Sequence, residues 1–182
     1  TRAETVHFDE TGFRVHTRLV WLHTACTDWL SYYTVHHQRG DEAMLDAGVL
    51  PNCRGWAVHD GHKPYFGFET VRHALCNAHH LRELGFVFEQ YQQDWAQDMV
   101  HLLCTIKAEI ETTADSQTAL SPERMAYYEG RYAAVLQRGF EANPAPTQTL
   151  VRKRGRKKQP PPKNLLDRLS NYQAETLGSV DI

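Results

Sequence analysis

The sequence predicts an α/β fold in which a mixed sheet packs against helices. Residues 4–60 contain short apolar runs with the two-residue alternation of strands. From about residue 71 onward, apolar residues recur with the wider spacing of helices. Three strands in sequence, then a short helix and a further strand, are typical of a mixed sheet with helices on it.

The first three predicted strands follow one another closely. Val6–Asp9 alternates apolar and polar residues, and Thr11-Gly12 after it allows a turn. Arg18–Cys26 is almost continuously apolar, which favours a central strand buried on both faces. Trp29–Val35 is rich in Tyr and Thr and forms the third strand.

A short helix and two further strands complete the predicted sheet. Gly40–Ala47 is expected to be helical, with Gly48 and Pro51 as breakers after it. Gly55–His59 is the fourth strand, and Ala74–Cys76 is a candidate fifth.

Helices are expected in the remainder. Asn77 is a candidate cap for a long helix that runs towards Glu111 with a break. Ser121-Pro122-Glu123 combines an N-cap, a first-position proline and a first-turn acid, and its helix continues to about Gly139. Asn164 is a candidate cap for the last helix. The predicted organisation is a core at 4–84, a helical insertion at 85–140, a Pro-rich basic loop at 141–163 and a C-terminal helix at 164–178.

Length and composition indicate one ordinary domain with a real core. The chain has 182 residues, of which 41% are hydrophobic and 23% charged. No apolar run approaches the ~18 residues of a membrane span, and the polar start is unlike a signal peptide. The chain lacks an initiator Met, so we expect it to be a fragment of something longer. Its four scattered cysteines suggest no disulfide framework, so a cytoplasmic location is expected.

The net charge of −2 conceals a strongly basic stretch. Residues 151–163 contain seven Lys or Arg and no acid. Six of these define what we call the basic segment: Arg152, Lys153, Arg154, Arg156, Lys157 and Lys158. Such a segment either contacts DNA phosphates, which makes binding salt-sensitive, or is a solvated loop. It has no interleaved aromatic residues, so base stacking is not expected there.

Two aspartates are the main candidate site residues. Asp9 closes the first predicted strand, and Asp60 directly follows the fourth. A sheet can bring such strand ends together, and two adjacent carboxylates repel unless a cation lies between them. Mg²⁺ prefers oxygen ligands and is commonly shared with phosphate, which points to phosphoryl transfer. The alternative is that both aspartates simply form turns.

A zinc site is the other chemistry that the spacing raises. Cys76-x-x-His79, followed by His80, resembles half of a zinc site. Zinc needs three or four ligands, and no second pair occurs at a familiar spacing. The favoured interpretation is a buried cysteine beside histidines at a helix start, and zinc is not expected.

Several motifs together resemble the transposases of the insertion-sequence sixty-six family, over roughly residues 4–177. The order and spacing of the motifs carry the resemblance more than any one of them. They are His7–Val15, Trp21–His23, Val35–Gly40, Ala57–Tyr65, His73–Leu84, Arg154–Lys158 and Asn164–Leu169.

This resemblance implies a ribonuclease-H-like fold with an Asp-Asp-Glu metal site. Asp9 and Asp60 match the two aspartates of the family. The family's glutamate lies in a segment of the form Asn-Asn-x-Ala-Glu-Arg, which does not occur here. Glu175 lies in a superficially similar stretch but is not assigned, so the third catalytic acid is unknown. We therefore expect the chain to be truncated before that glutamate and to lack the family's N-terminal DNA-binding region.

The chemistry implied by the resemblance is cleavage at transposon ends followed by strand transfer into target DNA. Two Mg²⁺ or Mn²⁺ ions would be held by Asp9 and Asp60, with Asp9 bridging both. His79 or Arg82 is a candidate to support the site or to contact phosphate. DNA is the expected partner, and a homo-oligomer is expected in the active complex. Two alternatives stay open, namely a non-catalytic DNA-binding remnant and a metal-dependent nuclease of the same fold.

Overall fold

The computed structural model describes residues 3–113, 120–144 and 159–178. The chain forms two compact units. The first contains the described residues up to Cys76 and those from Ala174 onward, and the second contains those from Asn77 to Gln173. None of the described helices is both long and apolar enough to cross a membrane.

The first unit is built on a mixed five-stranded sheet, which confirms the α/β prediction. Its strands are β1 (Thr5–Val15), β2 (Arg18–Cys26), β3 (Ser31–His36), β4 (Trp56–His59) and β5 (Arg72–Leu75). Their order is β3-β2-β1-β4-β5. The pairs β1–β2 and β2–β3 are antiparallel, whereas β1–β4 and β4–β5 are parallel. The carboxyl ends of β1 and β4 therefore point the same way.

The first hairpin is longer than the sequence suggested. β1 continues through Thr11-Gly12, so the prediction of a turn there is wrong, and the chain reverses at His16 with φ of 54°. Gly12 lies opposite Trp21, and a Cβ at Gly12 would be 3.2 Å from the Trp21 ring. The glycine therefore makes room for a cross-strand indole instead of bending the chain.

The expectation that β2 is buried on both faces is also wrong. In β2 the buried residue is His23, whereas the apolar residues of this strand are half-buried or exposed. The third strand begins at Ser31, and Trp29 before it is 90% exposed. An apolar run shows that a strand is suited to burial, but only the elements packed on the sheet decide whether each face is covered.

The core of this unit lies between the sheet and α1 (Asp41–Ala47). Gly40 is the N-cap of α1, and Gly48 ends it with φ of 71°, a left-handed conformation that glycine adopts without strain. A 3₁₀ turn at Leu50–Asn52 and another at Lys63–Gly67 follow. The cluster of buried side chains comprises Val6, Phe8, Met44, Leu50, Cys53, Ala57, Tyr65 and Val71.

The second unit consists of packed helices. They are α2 (Asn77–Tyr91), α3 (Asp94–Thr113), α4 (Pro122–Ala142) and α5 (Pro161–Asn171). The predicted break is confirmed at Gln92, which has φ of 53°. The Ser121 cap is also confirmed, because its hydroxyl accepts the backbone N–H of Arg124. A short α6 (Gln173–Gly178) ends the described chain.

The prediction that Asn164 caps the last helix is wrong. The helix begins three residues earlier, at Pro161, with Pro160 as its N-cap. Proline is well suited to the first turn because its missing N–H has no helical partner there. The buried face that holds this helix in place comprises Pro162, Leu165, Leu166 and Leu169.

Candidate active site

The parallel pairing of β1 and β4 relates Asp9 to Asp60. The last paired residues are His7 and Val58. Asp9 follows His7 by two residues within β1, and Asp60 follows Val58 by two residues, directly after β4. The register continued by two residues therefore puts the two aspartates at matching positions. Asp9 is exposed and Asp60 is half-buried.

Each aspartate has one carboxylate oxygen held by the backbone. Oδ1 of Asp60 accepts the N–H of His62 at 2.7 Å, and Oδ1 of Asp9 accepts the N–H of Glu10 at 2.9 Å. Oδ2 of Asp60 accepts a hydrogen bond from Nη2 of Arg39 at 3.2 Å. The bonds from the backbone limit rotation of both carboxylates. This favours a fixed geometry of the oxygen atoms that could bind a metal ion.

Glu10, which the sequence analysis did not include among the candidate site residues, is linked to Asp60 through Arg39. Its side chain is 0% exposed, with Oε1 accepting from Nε of Arg39 at 2.8 Å and Oε2 from the Tyr65 hydroxyl at 2.6 Å. The signal was present in the sequence, because Glu10 continues the alternation of Val6 and Phe8 onto the buried face. A buried carboxylate at such a position needs a cation and hydrogen-bond donors.

Arg39 supplies that cation and joins two of the acids. It lies in the loop between β3 and α1 and contacts both Glu10 and Asp60, while its guanidinium lies 5.2 Å from the centre of the Trp21 ring. One guanidinium therefore contacts two carboxylates, those of Glu10 and Asp60, and Asp9 precedes Glu10 in the chain. The excess negative charge of this group favours binding of a further cation.

The Tyr65 hydroxyl lies within electrostatic range of all three acids. Burial raises the pKa of Tyr65 well above its usual value, and the charge of Glu10 and the bond donated to it raise it further. The charges of Asp60 and Asp9 act in the same direction. Tyr65 therefore stays protonated and serves as a hydrogen-bond donor to Glu10.

A pair of histidines supports the turn that carries Asp60. Nδ1 of His59 accepts the N–H of Gly61 at 3.1 Å, and Nε2 of His59 lies 3.0 Å from Nδ1 of His73. Nε2 of His73 in turn lies 3.2 Å from the carbonyl of Phe68. If both rings are neutral, each N–H in this chain has an acceptor.

The pKa values agree with neutral rings. Burial, followed by the charge of His73, lowers the pKa of His59 to about 3, although Asp60 opposes the shift. Burial also lowers the pKa of His73, against opposing effects of the Phe68 carbonyl and of Glu175. The pair thus holds the Gly61 turn, where φ is 84°, without introducing positive charge beside Asp60.

The donor set suits Mg²⁺ or Mn²⁺ but is incomplete. Asp9 and Asp60 supply the carboxylate oxygens that such hard cations prefer. Within the described chain, however, neither belongs to a group of three His, Cys, Asp or Glu residues whose ligand atoms lie within 4.8 Å of one another. Glu175 acts electrostatically on His73 and is in no such group. The third acid therefore stays unassigned.

The other sequence candidates lie in or beside the helical unit. Nδ1 of His79 is buried with no hydrogen-bond partner, and Arg82 is exposed. The neighbouring His80 is buried, which lowers its pKa to about 3, with Arg168 and His79 adding to the shift. Cys76 is a free, half-buried thiol, and no metal-binding trio among the described residues includes it or His79. The basic segment lies outside the described residues.

Comparison with known proteins gives one strong match. A family model described as "Transposase IS66 family" matches residues 1–177. No curated protein matches the chain.

Among solved structures, the chain is similar to a chain in a cryo-EM structure of the simian T-cell lymphotropic virus intasome in complex with PP2A regulatory subunit B56 gamma. The two are 13% identical, and the TM-score is 0.35. The match covers 86% of this chain and 56% of that one, so this chain spans little more than half of its length. A TM-score this low supports no conclusion about fold or function.

Proposed function

Because the chain belongs to the IS66 family of transposases, we propose that its sheet unit carries the DNA-cleaving site of such an enzyme. The proposed fold is ribonuclease-H-like, and Asp9 and Asp60 are the proposed metal ligands. The observation that supports this most is the parallel pairing of β1 and β4, whose register brings Asp9 of β1 opposite Asp60, directly after β4.

The residues of the chain have distinct roles in this proposal. Asp9 and Asp60 would hold two Mg²⁺ or Mn²⁺ ions. Such ions activate the attacking oxygen and stabilise the leaving oxygen of a phosphodiester. Arg39 orients Asp60 and neutralises Glu10, and Tyr65 holds Glu10 through its hydroxyl. Neutral His59 fixes the turn after Asp60.

The proposed substrate is DNA. Hydrolysis at a transposon end would free a 3′-hydroxyl, which would then attack a phosphodiester of target DNA. The basic segment is proposed to contact phosphates, and the active complex is proposed to be a homo-oligomer. These functions belong to a complete transposase, and for this chain they are proposals.

A second candidate is a DNA-binding protein without catalytic activity. The missing third acid among the described residues favours it, because a metal site that lacks one ligand binds its ions weakly. A third, a nuclease of the same fold, would cleave DNA without joining strands. DNA cleavage would distinguish the transposase and the nuclease from the non-catalytic DNA-binding protein. Strand joining would then distinguish the transposase from the nuclease.

The deciding experiment is nicking of supercoiled DNA by this chain in the presence of Mn²⁺. Asp9→Asn and Asp60→Asn each remove one charge and keep the shape of the side chain. Asp28→Asn is the matched control, since Asp28 is an exposed aspartate between β2 and β3. We expect the wild type and Asp28→Asn to nick DNA, and each site variant to lose most of the activity.

Binding of Mn²⁺ in the same four proteins gives a readout that does not need turnover. The proposal requires Mn²⁺ to raise the melting temperature of the wild type and of Asp28→Asn, and to raise it less in both site variants. If all four proteins nick DNA equally and show the same Mn²⁺-induced rise in melting temperature, Asp9 and Asp60 hold no metal. Absence of both effects in the wild type would favour the non-catalytic candidate.

A further inference from the structure

Away from the proposed active site, three side chains with metal-binding atoms meet where β3 ends and α1 begins. Ligand atoms of His36, His37 and Glu42 all lie within 4.8 Å of one another. In the part of the chain that the structure describes, this is the single trio of His, Cys, Asp or Glu residues that comes so close. We propose that these side chains form a binding site for a dication of the Zn²⁺ class.

Asp46, which lies outside that trio, is the fourth ligand in this proposal. Its Oδ2 lies 3.4 Å from Nε2 of His36. Glu42 and Asp46 are four residues apart on α1, so both project from the same side of the helix. With zinc bonds of roughly 2.0–2.1 Å, neighbouring ligand atoms of a tetrahedral site lie roughly 3.4 Å apart. The His36–Asp46 pair therefore already has the required separation.

The other three ligands are exposed side chains that are free to rotate towards an ion. They are His37, Glu42 and Asp46. Consecutive residues within a strand point to opposite faces, but β3 ends at His36. The chain turns there, and the rings of His36 and His37 have their centres 4.2 Å apart.

The ring of His36 is held by the loop that follows it. The backbone N–H of Gln38 donates to Nδ1 of His36 at 3.0 Å, so in the metal-free chain Nδ1 is an acceptor. Binding of an ion at Nε2 requires the proton on Nδ1 and therefore breaks this bond. The carbonyl of Gln38, 3.4 Å from Nδ1, is then the available acceptor.

The chemistry of the four groups selects the metal. Two imidazoles and two carboxylates suit Zn²⁺, whereas Mg²⁺ prefers ligands that are all oxygen. Zinc was not expected from the sequence because the spacing around Cys76 offers no second pair of ligands, and this site uses none of those residues. The site is independent of the proposed function, because Asp9 and Asp60 take no part in it.

A bound ion would also restrain the loop between β3 and α1. Arg39 lies in that loop, between His37 and Glu42, and contacts Glu10 and Asp60. Zinc would thereby hold the ends of the segment from which Arg39 reaches the acids. The role assigned to the ion is structural.

The test is a Zn²⁺ titration of the untagged, metal-stripped chain against a chromophoric chelator, with the Co²⁺ absorption spectrum as a second readout. His37→Asn and Glu42→Gln remove one ligand each, and both residues are exposed. His16→Asn and Glu69→Gln are the matched controls, since these residues are also exposed. Asn tolerates the positive φ of His16.

We expect the wild type to bind one Zn²⁺ at this site and each ligand variant to bind it at least about tenfold more weakly. The two control variants should bind Zn²⁺ with the wild-type affinity. Asp60→Asn should do so as well, which would show that this site is separate from the proposed active site. Unchanged affinity in His37→Asn and Glu42→Gln would overturn the proposal. An equal loss in the controls would also overturn it, since it would indicate scattered binding to surface histidines.

Discussion

At the scale of single residues, the proposed site depends on how the charge of Glu10 is compensated. Its carboxylate is fully buried and bonded to Arg39 and Tyr65, neither of which is near it in sequence. Removing one partner of a buried ion pair leaves an uncompensated charge, which costs ~3–5 kcal/mol. Arg39 is 37% exposed, so solvent screens part of this cost.

We therefore predict that Arg39→Met lowers the free energy of unfolding by about 2 kcal/mol. Arg14→Met is the control, because Arg14 is exposed and bonds to the carbonyl of Thr17. Adding Glu10→Gln to Arg39→Met should restore part of the loss, since the orphaned charge is then gone. Urea unfolding measures the free energy of unfolding of each variant. Equal losses in Arg39→Met and Arg14→Met would contradict the prediction.

The buried histidines predict acid sensitivity. His59 and His80 each have a pKa near 3 in the folded chain, against about 6.5 when unfolded. Between pH 6.5 and 3 the unfolded chain binds more protons, so stability falls as the pH is lowered through this window. Each histidine contributes up to about 1.4 kcal/mol per pH unit.

Urea unfolding at pH 7.5 and 5.5 tests this prediction. We expect a lower midpoint at pH 5.5 for the wild type and a smaller difference between the two pH values for His59→Gln. His16→Gln should keep the wild-type difference, because His16 is exposed. A wild-type midpoint that does not change with pH would show that these rings are not buried in the neutral form.

At the scale of elements, one glycine decides how closely the helices of the second unit pack. A Cβ at Gly139 of α4 would lie 2.4 Å from Leu166 Cδ2 and 3.1 Å from Trp95 Cδ2. Both neighbours are buried and have little room to move. A Cβ at Gly130 on the same helix would have nothing within 4 Å. Both glycines are in α4, but only at Gly139 is the space for a Cβ taken up by neighbouring side chains.

We predict opposite effects for the two alanine substitutions. Gly139→Ala should destabilise the chain by about 1–3 kcal/mol, because overpacking outweighs the gain in helix propensity. Gly130→Ala should stabilise it by about 0.5–1 kcal/mol through that propensity alone. Thermal unfolding of both variants measures the difference, and a stabilising Gly139→Ala would show that α4 and α5 are not packed as described.

At the scale of the whole molecule, the uneven charge predicts how the chain binds DNA. The basic segment lies in a chain whose net charge is −2, so the remaining chain repels phosphate and binding should depend on this segment. Each phosphate contact changes the slope of log affinity against log salt by about 0.9.

We predict that replacing the six basic residues by Gln reduces that slope by up to about 5. Asp60→Asn should keep the wild-type slope, because Asp60 is a proposed metal ligand and makes no phosphate contact in this proposal. Fluorescence anisotropy with duplex DNA at several salt concentrations measures both. An unchanged slope after the six replacements would mean that the segment is a solvated loop.

The sequence by itself determined the features that depend on neighbours along the chain. Strand alternation in β1, the break near Gln92 and the cap at Ser121 were predicted correctly, because periodicity and capping act over a few residues. The motifs between His7 and Leu169 also sufficed to identify the family. Asp9 and Asp60 were singled out because each ends a predicted strand, although β1 continues beyond Asp9 to Val15.

Only the tertiary structure decided what each of those elements meets. Glu10 pairs with Arg39 and Tyr65, which are 29 and 55 residues away, and no local pattern specifies such partners. The same holds for Gly12 opposite Trp21, and for β2, whose apolar residues are incompletely covered. Burial and ion pairing are properties of surfaces brought together by folding, and a sequence pattern states only which surfaces are suited to meet.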